Sequence, residues 1–113
     1  MAKNLGISAF SLFFSLFFHI FAICLEPENA RYHDSLGVTL HEMERYEEAA
    51  CGKSKAVELE PENAEYHDSL GITLYEMERY EEAAKEIRRA IELDPGNEKY
   101  SDHLDFVLRA IKE

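Results

Sequence analysis

The stretch PENARYHDSLGVTLHEMERYEEAACGKSKAVELE, residues 27–60, is followed without a gap by PENAEYHDSLGITLYEMERYEEAAKEIRRAIELD, residues 61–94. The two copies are identical at 24 of their 34 positions. A third copy opens at Pro95 with PGNEKYSDHL, again 34 residues further along. A fixed period of this length indicates a repeat architecture, in which each unit buries its apolar face against its neighbours.

Each copy holds two amphipathic stretches of helical length, separated by a short polar turn that includes Glu44 or Glu78. Asn29 and Asn63 stand just before the first stretch of each copy, where an asparagine side chain can cap a helix. The prolines at the repeat junctions end the preceding helix. These signals predict a helix–turn–helix unit in each copy.

Gly37 and Gly71 occur inside the first predicted helix of each copy, where glycine costs about 1 kcal/mol relative to alanine. Their recurrence indicates close packing against Ala49 and Ala83 of the second helix.

The copies resemble the tetratricopeptide repeat family when its motif is started at Ala30, Ala64 and Glu98. The matching residues are Leu36 and Leu70, Gly37 and Gly71, Leu40 and Leu74, Tyr46 and Tyr80, Ala49 and Ala83, Ala56 and Ala90, and Pro61 and Pro95. The copies depart from the motif at three positions. His33 and His67 stand where the motif has a bulky residue, and Glu44 and Glu78 stand where it has a glycine. Lys53 and Ile87 stand where it has an aromatic residue. The resemblance covers residues 27–108.

The resemblance implies an all-α solenoid with two full repeats, residues 27–60 and 61–94, in a domain spanning 26–113. A capping helix is predicted over 97–112, because Asp105 stands where Gly71 would let a partner helix approach. The capping helix is expected to cover the last repeat with Tyr100, Leu104, Val107, Leu108 and Ile111 and to expose Lys99, Asp102, Asp105, Arg109 and Lys112.

Residues 1–25 form a different region, predicted to be a hydrophobic helix. From Leu5 to Leu25 there are 21 residues without a charge, including six Phe, four Leu and three Ile. As a helix this stretch would extend about 31 Å, close to the thickness of a bilayer core. We therefore expect a membrane anchor through residues 5–25. Ser8, Ser11, Ser15, His19 and Ala22 form a narrow stripe that could pack against another helix, so self-association through this helix is a further expectation.

Two alternatives to a retained anchor stay open. Lys3 and the sequence Ala22-Ile23-Cys24 allow a cleaved signal peptide and export, although the apolar stretch is longer than usual for one. Alternatively, residues 22–27 align in register with residues 56–61, so the apolar helix could stand in for the second helix of an upstream repeat. The chain would then be a cytoplasmic fragment of a longer repeat protein.

The region after Leu25 is strongly acidic, with all 23 acidic residues against 11 of the 12 basic ones. This charge argues against binding nucleic acid or anionic lipid and favours a basic protein or peptide partner.

The resemblance places a partner-binding groove on the first helix of each repeat. The predicted groove residues are Arg31, Asp34, Val38, His41 and Glu42 in the first copy and Glu65, Asp68, Ile72, Tyr75 and Glu76 in the second. Relatives that bind a C-terminal carboxylate use Lys, Asn and Arg at such positions, whereas Asp34 and Asp68 would repel it. We therefore predict a scaffold for protein–protein interaction with an acidic groove. The alternative is a structural single-pass membrane protein in which the repeats act as a spacer.

No motif predicts an enzyme, a cofactor or a metal. Gly52-Lys53-Ser54 resembles the end of a phosphate-binding loop, but the required glycine is Glu47 and the segment is helical. Lys53 is instead expected to lay its stem along the groove. His33 and His67 read as partly buried packing residues, and the two cysteines form no motif.

Overall fold

The computed structural model describes residues 9–113. The helices are α1 (Ala9–Leu25), α2 (Ala30–Glu42), α3 (Tyr46–Leu59), α4 (Ala64–Glu76), α5 (Tyr80–Leu93) and α6 (Glu98–Lys112). This part of the chain contains no strand. The predicted all-α repeat fold is confirmed: α2 with α3 and α4 with α5 are the two helical hairpins, and α6 follows them.

The first helix of each copy begins at an asparagine cap, as the sequence predicts. The Oδ1 atom of Asn29 accepts a hydrogen bond from the backbone N of Arg31 at 3.0 Å, and Asn63 does the same for Glu65. Asn97 caps α6 in the same way. Each cap satisfies one of the backbone donors that a helix start leaves unpaired.

The turn inside each hairpin contains a residue with a left-handed backbone. Glu44 has φ 61° and Glu78 has φ 62°, a region that non-glycine residues seldom adopt. Glycine reaches this conformation without a clash between its Cβ and the backbone. The turn therefore forms despite its glutamate, because the two packed helices fix its geometry.

We expect Glu78→Gly to raise the free energy of unfolding by about 0.5–1 kcal/mol, since it removes this backbone strain. Urea denaturation measures the change. Lys85→Gly, at an exposed position in the middle of α5, is the control and should cost about 1 kcal/mol. A loss of stability in Glu78→Gly would contradict the assignment of strain to this turn.

The main core lies between α4, α5 and α6. Its buried side chains are Leu70, Leu74, Ala83, Ala84, Ile87, Ala90, Tyr100 and Val107. Gly71 lets α5 approach α4: a Cβ built on Gly71 would lie 2.6 Å from Cγ1 of Ile87 and 3.2 Å from the carbonyl oxygen of Ala83. The close packing predicted for this glycine is confirmed, and Ile87 takes part in it as well as Ala83.

The first helices of the repeats form one layer and the second helices the other. Within residues 9–113, the backbone of α2 comes close to that of α4, and that of α4 to that of α6, whereas the backbones of α3 and α5 stay further apart. A cleft of about 750 Å³ separates α3 from α5 on the outer side. The layer of α2, α4 and α6 is therefore the inner, concave face of the solenoid.

Helix α1 packs against α2 in the way that α3 packs against α4. Its half-buried residues are Leu12, Ser15, Leu16, His19, Ala22 and Ile23, each 34 positions before a residue of α3 that is also covered. The Oγ atom of Ser15 lies 3.3 Å from Oγ1 of Thr39 in α2. Helix α1 therefore occupies the place that the second helix of an upstream repeat would take. The alignment of residues 22–27 with residues 56–61 indicated this position.

Among the described residues, no helix combines the length and the apolar character that crossing a membrane requires. Residues 5–8 of the predicted anchor, including Ser8 of its stripe, lie outside the described part of the chain. Membrane anchoring through residues 5–25 stays a prediction.

Candidate functional site: the inner face of the solenoid

The predicted groove residues lie on α2 and α4, in the inner layer, but at different depths. Arg31, Val38, Glu42, Glu65 and Glu76 are exposed; Asp34, His41, Ile72 and Tyr75 are half-buried; Asp68 is buried. The inner face therefore offers a partner only some of the predicted side chains.

An apolar row crosses the inner face. Val38 on α2, Ile72 on α4 and Phe106 on α6 occupy equivalent positions, 34 residues apart. Phe106 is 58 % exposed, and its ring centroid lies 5.7 Å from that of Tyr75. The row forms an uncharged surface in the middle of the face.

The predicted groove does not include α6, because the sequence pattern indicates only a capping role for this helix. The 34-residue spacing was the signal that could have added Phe106, together with Lys99, Asp102 and Arg109 at the other equivalent positions. The capping prediction itself agrees with the structure, since Tyr100 and Val107 are buried against the last repeat. Ile111 differs, because it is 38 % exposed.

Carboxylates border the apolar row. Glu42 and Glu76 end α2 and α4 at equivalent positions, and both are exposed. Glu65 is exposed as well, but it accepts hydrogen bonds from Nζ of Lys99 at 3.1 Å and from the Tyr100 hydroxyl at 3.1 Å. Glu42 and Glu76 are therefore the exposed carboxylates of the predicted groove that take no part in the contact with α6.

The two aspartates predicted for the groove lie deeper, between neighbouring repeats. Asp68 is 2 % exposed, and its carboxylate lies 2.9 and 3.0 Å from Nδ1 of His103 on α6. Burial raises the pKa of Asp68, and the hydrogen bond from His103 opposes that rise. Asp68 thus holds α6 onto α4, and the structure does not bring its carboxylate to the surface.

Asp34 occupies the equivalent place between α2 and α4. Burial raises the pKa of its carboxyl group, while the positive charge of Lys53 and a hydrogen bond from Ser69 lower it. Within residues 9–113, its buried Oδ1 atom has no hydrogen-bond partner. The α4 residue at the position of His103 is Ser69, which is a shorter side chain.

Lys53 is buried between α3 and α4, so the expectation that its stem lies along the groove is wrong. The side chain is 4 % exposed, and Nζ donates hydrogen bonds to Oγ1 of Thr73 at 2.8 Å and to the carbonyl oxygen of Ser69 at 3.1 Å. The ammonium group is buried because both of these acceptors lie on α4. Burial lowers the pKa of Lys53 to about 8, against the opposing charges of Asp34 and Asp68.

His41 completes a chain of hydrogen bonds with Lys53 and Thr73. Its Nδ1 atom lies 3.0 Å from Oγ1 of Thr73. Because the lysine can only donate to this hydroxyl, the hydroxyl donates its own hydrogen to Nδ1, which requires a neutral imidazole. Burial and then the charge of Lys53 lower the pKa of His41 to about 4, so the ring is neutral at pH 7.

His33 and His67 contact the turn that precedes their helices, whereas Cys24 and Cys51 are exposed. His67 is buried, with Nδ1 2.9 Å from Oε1 of Glu86 and Nε2 2.7 Å from the carbonyl oxygen of Pro61. His33 contacts the carbonyl oxygen of Pro27 in the same way. Cys24 and Cys51 are free thiols. Across residues 9–113, no group of His, Cys, Asp and Glu side chains has the arrangement of a metal site.

Comparison with known proteins finds a known repeat in part of the chain and a known fold in most of it. Residues 64–97 match the sequence model of the tetratricopeptide repeat. No protein with a curated description matches the chain. Several solved structures are similar to it. One is the first TPR of Spaghetti (RPAP3), solved with the HSP90 peptide SRMEEVD. Its TM-score is 0.83 at 18 % sequence identity, and the similarity covers 87 % of this chain and 78 % of that one.

Two further structures are similar. The Arabidopsis OM64 TPR domain gives a TM-score of 0.77 at 26 % identity, over 81 % of this chain and 76 % of that one. A variant of the Thermobaculum terrenum O-GlcNAc transferase gives 0.82 at 26 % identity, over 87 % of this chain but only 19 % of that one. Together with the match over residues 64–97, these likenesses show that the chain contains a tetratricopeptide repeat and has the all-α solenoid fold of tetratricopeptide repeat domains.

Proposed function

We propose that the chain is a scaffold for protein–protein interaction that binds a basic peptide segment across its inner face. The observation that carries the proposal is the apolar row Val38, Ile72 and Phe106, bordered by the exposed carboxylates Glu42 and Glu76. An apolar strip with acidic borders is complementary to a segment that presents apolar side chains and Lys or Arg.

The groove differs in charge from what an acidic ligand needs. The RPAP3 domain was solved with the peptide SRMEEVD, which carries three carboxylate side chains near its end. Here Glu42 and Glu76 would repel such a peptide. Arg31, Lys99 and Arg109 are the cations at equivalent inner positions, and Lys99 is paired with Glu65. The carboxylates therefore dominate the end of the groove near Glu42 and Glu76.

The proposal is tested with two peptides of equal length, SRMEEVD and its charge-reversed counterpart SRMKKVK, both labelled and followed by fluorescence anisotropy. We expect SRMKKVK to bind at least about tenfold more tightly, which corresponds to about 1.4 kcal/mol. Glu42→Lys combined with Glu76→Lys should remove this preference. Because both positions are exposed, the fold should persist, and circular dichroism checks it.

Glu47→Lys combined with Glu81→Lys is the matched control. It changes the net charge by the same amount on exposed positions of the outer helices α3 and α5. We expect this control to keep the preference for SRMKKVK. Equal binding of the two peptides, or equal effects of the two double variants, would rule out an acidic binding groove on the inner face.

A further inference from the structure

One side of α1 is a continuous apolar surface that no described residue covers. Its side chains are 48–72 % exposed: Phe10, Phe13, Phe14, Phe17, Phe18, Ile20, Phe21 and Leu25, which we call the apolar face of α1. Six phenylalanines at roughly 60 % of about 200 Å² each leave about 700 Å² open. Monomeric proteins seldom expose an apolar patch larger than about 600 Å².

The phenylalanine rings already contact one another along this face. The ring centroids of Phe10 and Phe14 lie 5.6 Å apart, and those of Phe14 and Phe18 lie 5.7 Å apart. Helix α1 contains no Asp, Glu, Lys or Arg. Two such faces can therefore meet without like-charge repulsion at the contact, although the whole chain has a net charge of −11.

The opposite end of the solenoid is built differently. Helix α6 exposes Asp102, Asp105, Arg109 and Lys112. Asp105 occupies the position at which Gly71 admits a partner helix to α4, so its side chain obstructs the same approach to α6. Growth by stacking α1 of one copy on α6 of the next is therefore disfavoured, which leaves like-to-like association of α1 with α1.

We propose that the apolar face of α1 binds the same face of a second copy of this chain, forming a closed two-fold dimer. The area available on each copy is close to the roughly 800 Å² per partner of a stable interface. Such an isologous contact uses the same patch on both copies, so no further copy can add to the dimer through it. The seam of α1 with Ser15 and His19 faces α2 and stays in place.

A dimer of this kind would carry two inner faces on one particle. If each face binds a peptide, which rests on the proposed function, the second binding event on a divalent partner becomes intramolecular and gains avidity. The dimer itself does not depend on that function, because a monomeric variant and a groove variant alter different helices.

Sedimentation equilibrium of the purified full-length chain tests the dimer. We expect a mass of twice 13.1 kDa at concentrations near 10 µM, as for a standard-size interface with a dissociation constant of about 1 µM or below. Phe14→Glu combined with Phe18→Glu should raise that constant by about 100-fold and give a monomer with unchanged helical content. Phe106→Glu, at an exposed phenylalanine of α6, is the matched control and should remain dimeric.

A cross-linking experiment tests which residues of the two copies lie next to each other. Phe17 lies at the middle of α1, so a two-fold contact centred on this helix brings it next to its own copy. Phe17→Cys, in a chain with Cys24→Ser and Cys51→Ser, should form an intermolecular disulfide on oxidation. Phe106→Cys in the same background should not.

Three outcomes would overturn the proposal. One is a monomer at concentrations up to about 100 µM, which would imply binding about 1,000-fold weaker than the proposed interface needs. Another is a mass that keeps growing with concentration, which would indicate open-ended stacking. The third is a full-length chain that floats with neutral phosphatidylcholine vesicles and sediments as a monomer once detergent is added, since lipid would then be the occupant of the apolar face.

Discussion

Gly71→Val should lower the free energy of unfolding by about 3 kcal/mol. The Cβ alone would lie 2.6 Å from Cγ1 of Ile87 and 3.2 Å from the carbonyl oxygen of Ala83. The two methyl groups of valine would add volume to a core in which Ile87 is fully buried. The gain from replacing a helical glycine is under about 1 kcal/mol and does not compensate for this overlap.

Thermal unfolding followed by circular dichroism measures the effect. For a domain of this size, a loss of about 3 kcal/mol should lower the melting temperature by more than about 10 °C. Gly96→Val is the matched control, because a Cβ on Gly96 has no neighbouring atom within 4 Å and its φ is not positive. Equal melting temperatures for the two variants would show that α4 and α5 do not pack at Gly71 as described.

A double-mutant cycle identifies the partner of Gly71. Ile87→Ala removes Cγ1, the atom nearest to the added Cβ, so Gly71→Ala should be better tolerated in that variant than in the native chain. We expect a coupling free energy of about 1–2 kcal/mol between the two substitutions. Additive effects would assign the constraint to the Ala83 backbone instead.

The fold could be predicted from the sequence because its signals are local and repeated. The asparagine caps, the junction prolines and the recurring Gly37 and Gly71 each describe an interaction within one hairpin or between adjacent helices. A period of 34 residues then places every copy in the same way. The likeness of residues 22–27 to residues 56–61 even indicated where α1 packs.

The depth of the inner-face side chains could not be predicted in this way. Asp34 and Asp68 look alike within their copies, but burial depends on the helix of the next repeat. His103 of α6 reaches Asp68, whereas Ser69 is the residue at the same place beside Asp34. Lys53 was misplaced for a similar reason, since its acceptors are on α4 and belong to the following copy.

Lys53→Ile provides the second large effect, and we expect it to stabilise the protein by about 2 kcal/mol at pH 7. A pKa lowered from 10.5 to about 8 means that the buried ammonium costs about 3 kcal/mol relative to the unfolded chain. Isoleucine is the residue at the equivalent position of the second copy, where Ile87 is fully buried. Part of the gain is lost because Asp34 is deprived of a nearby positive charge.

The substitution should leave few unpaired polar groups behind. Thr73 keeps its hydrogen bond to Nδ1 of His41, since the hydroxyl is the donor in that bond. The side chain of Lys53 also lies where isoleucine lies in the second copy. Its Cγ atom is 2.6 Å from the position of a Cβ built on Gly37, and Cγ1 of Ile87 is 2.6 Å from the position of a Cβ built on Gly71. Replacing a buried charge by a well-packed apolar side chain is often stabilising for this reason.

The pH dependence distinguishes the loss of a buried charge from better packing. Between pH 8 and 10.5 the unfolded lysine keeps its proton while the folded lysine loses it, so the native protein gains stability as the pH rises through this window. The advantage of Lys53→Ile should therefore shrink from pH 8 to pH 10.5. Other groups that titrate in this window are common to both proteins, so their contributions cancel in the difference.

Lys55→Ile is the control, because Lys55 is an exposed lysine on the same helix. Its effect on the free energy of unfolding at pH 7 should stay within about 0.5 kcal/mol. If Lys53→Ile instead lowered stability at pH 7 by more than about 1 kcal/mol, the hydrogen bonds of Lys53 to Thr73 and Ser69 would outweigh its desolvation. The buried lysine would then stabilise the packing of the first repeat against the second.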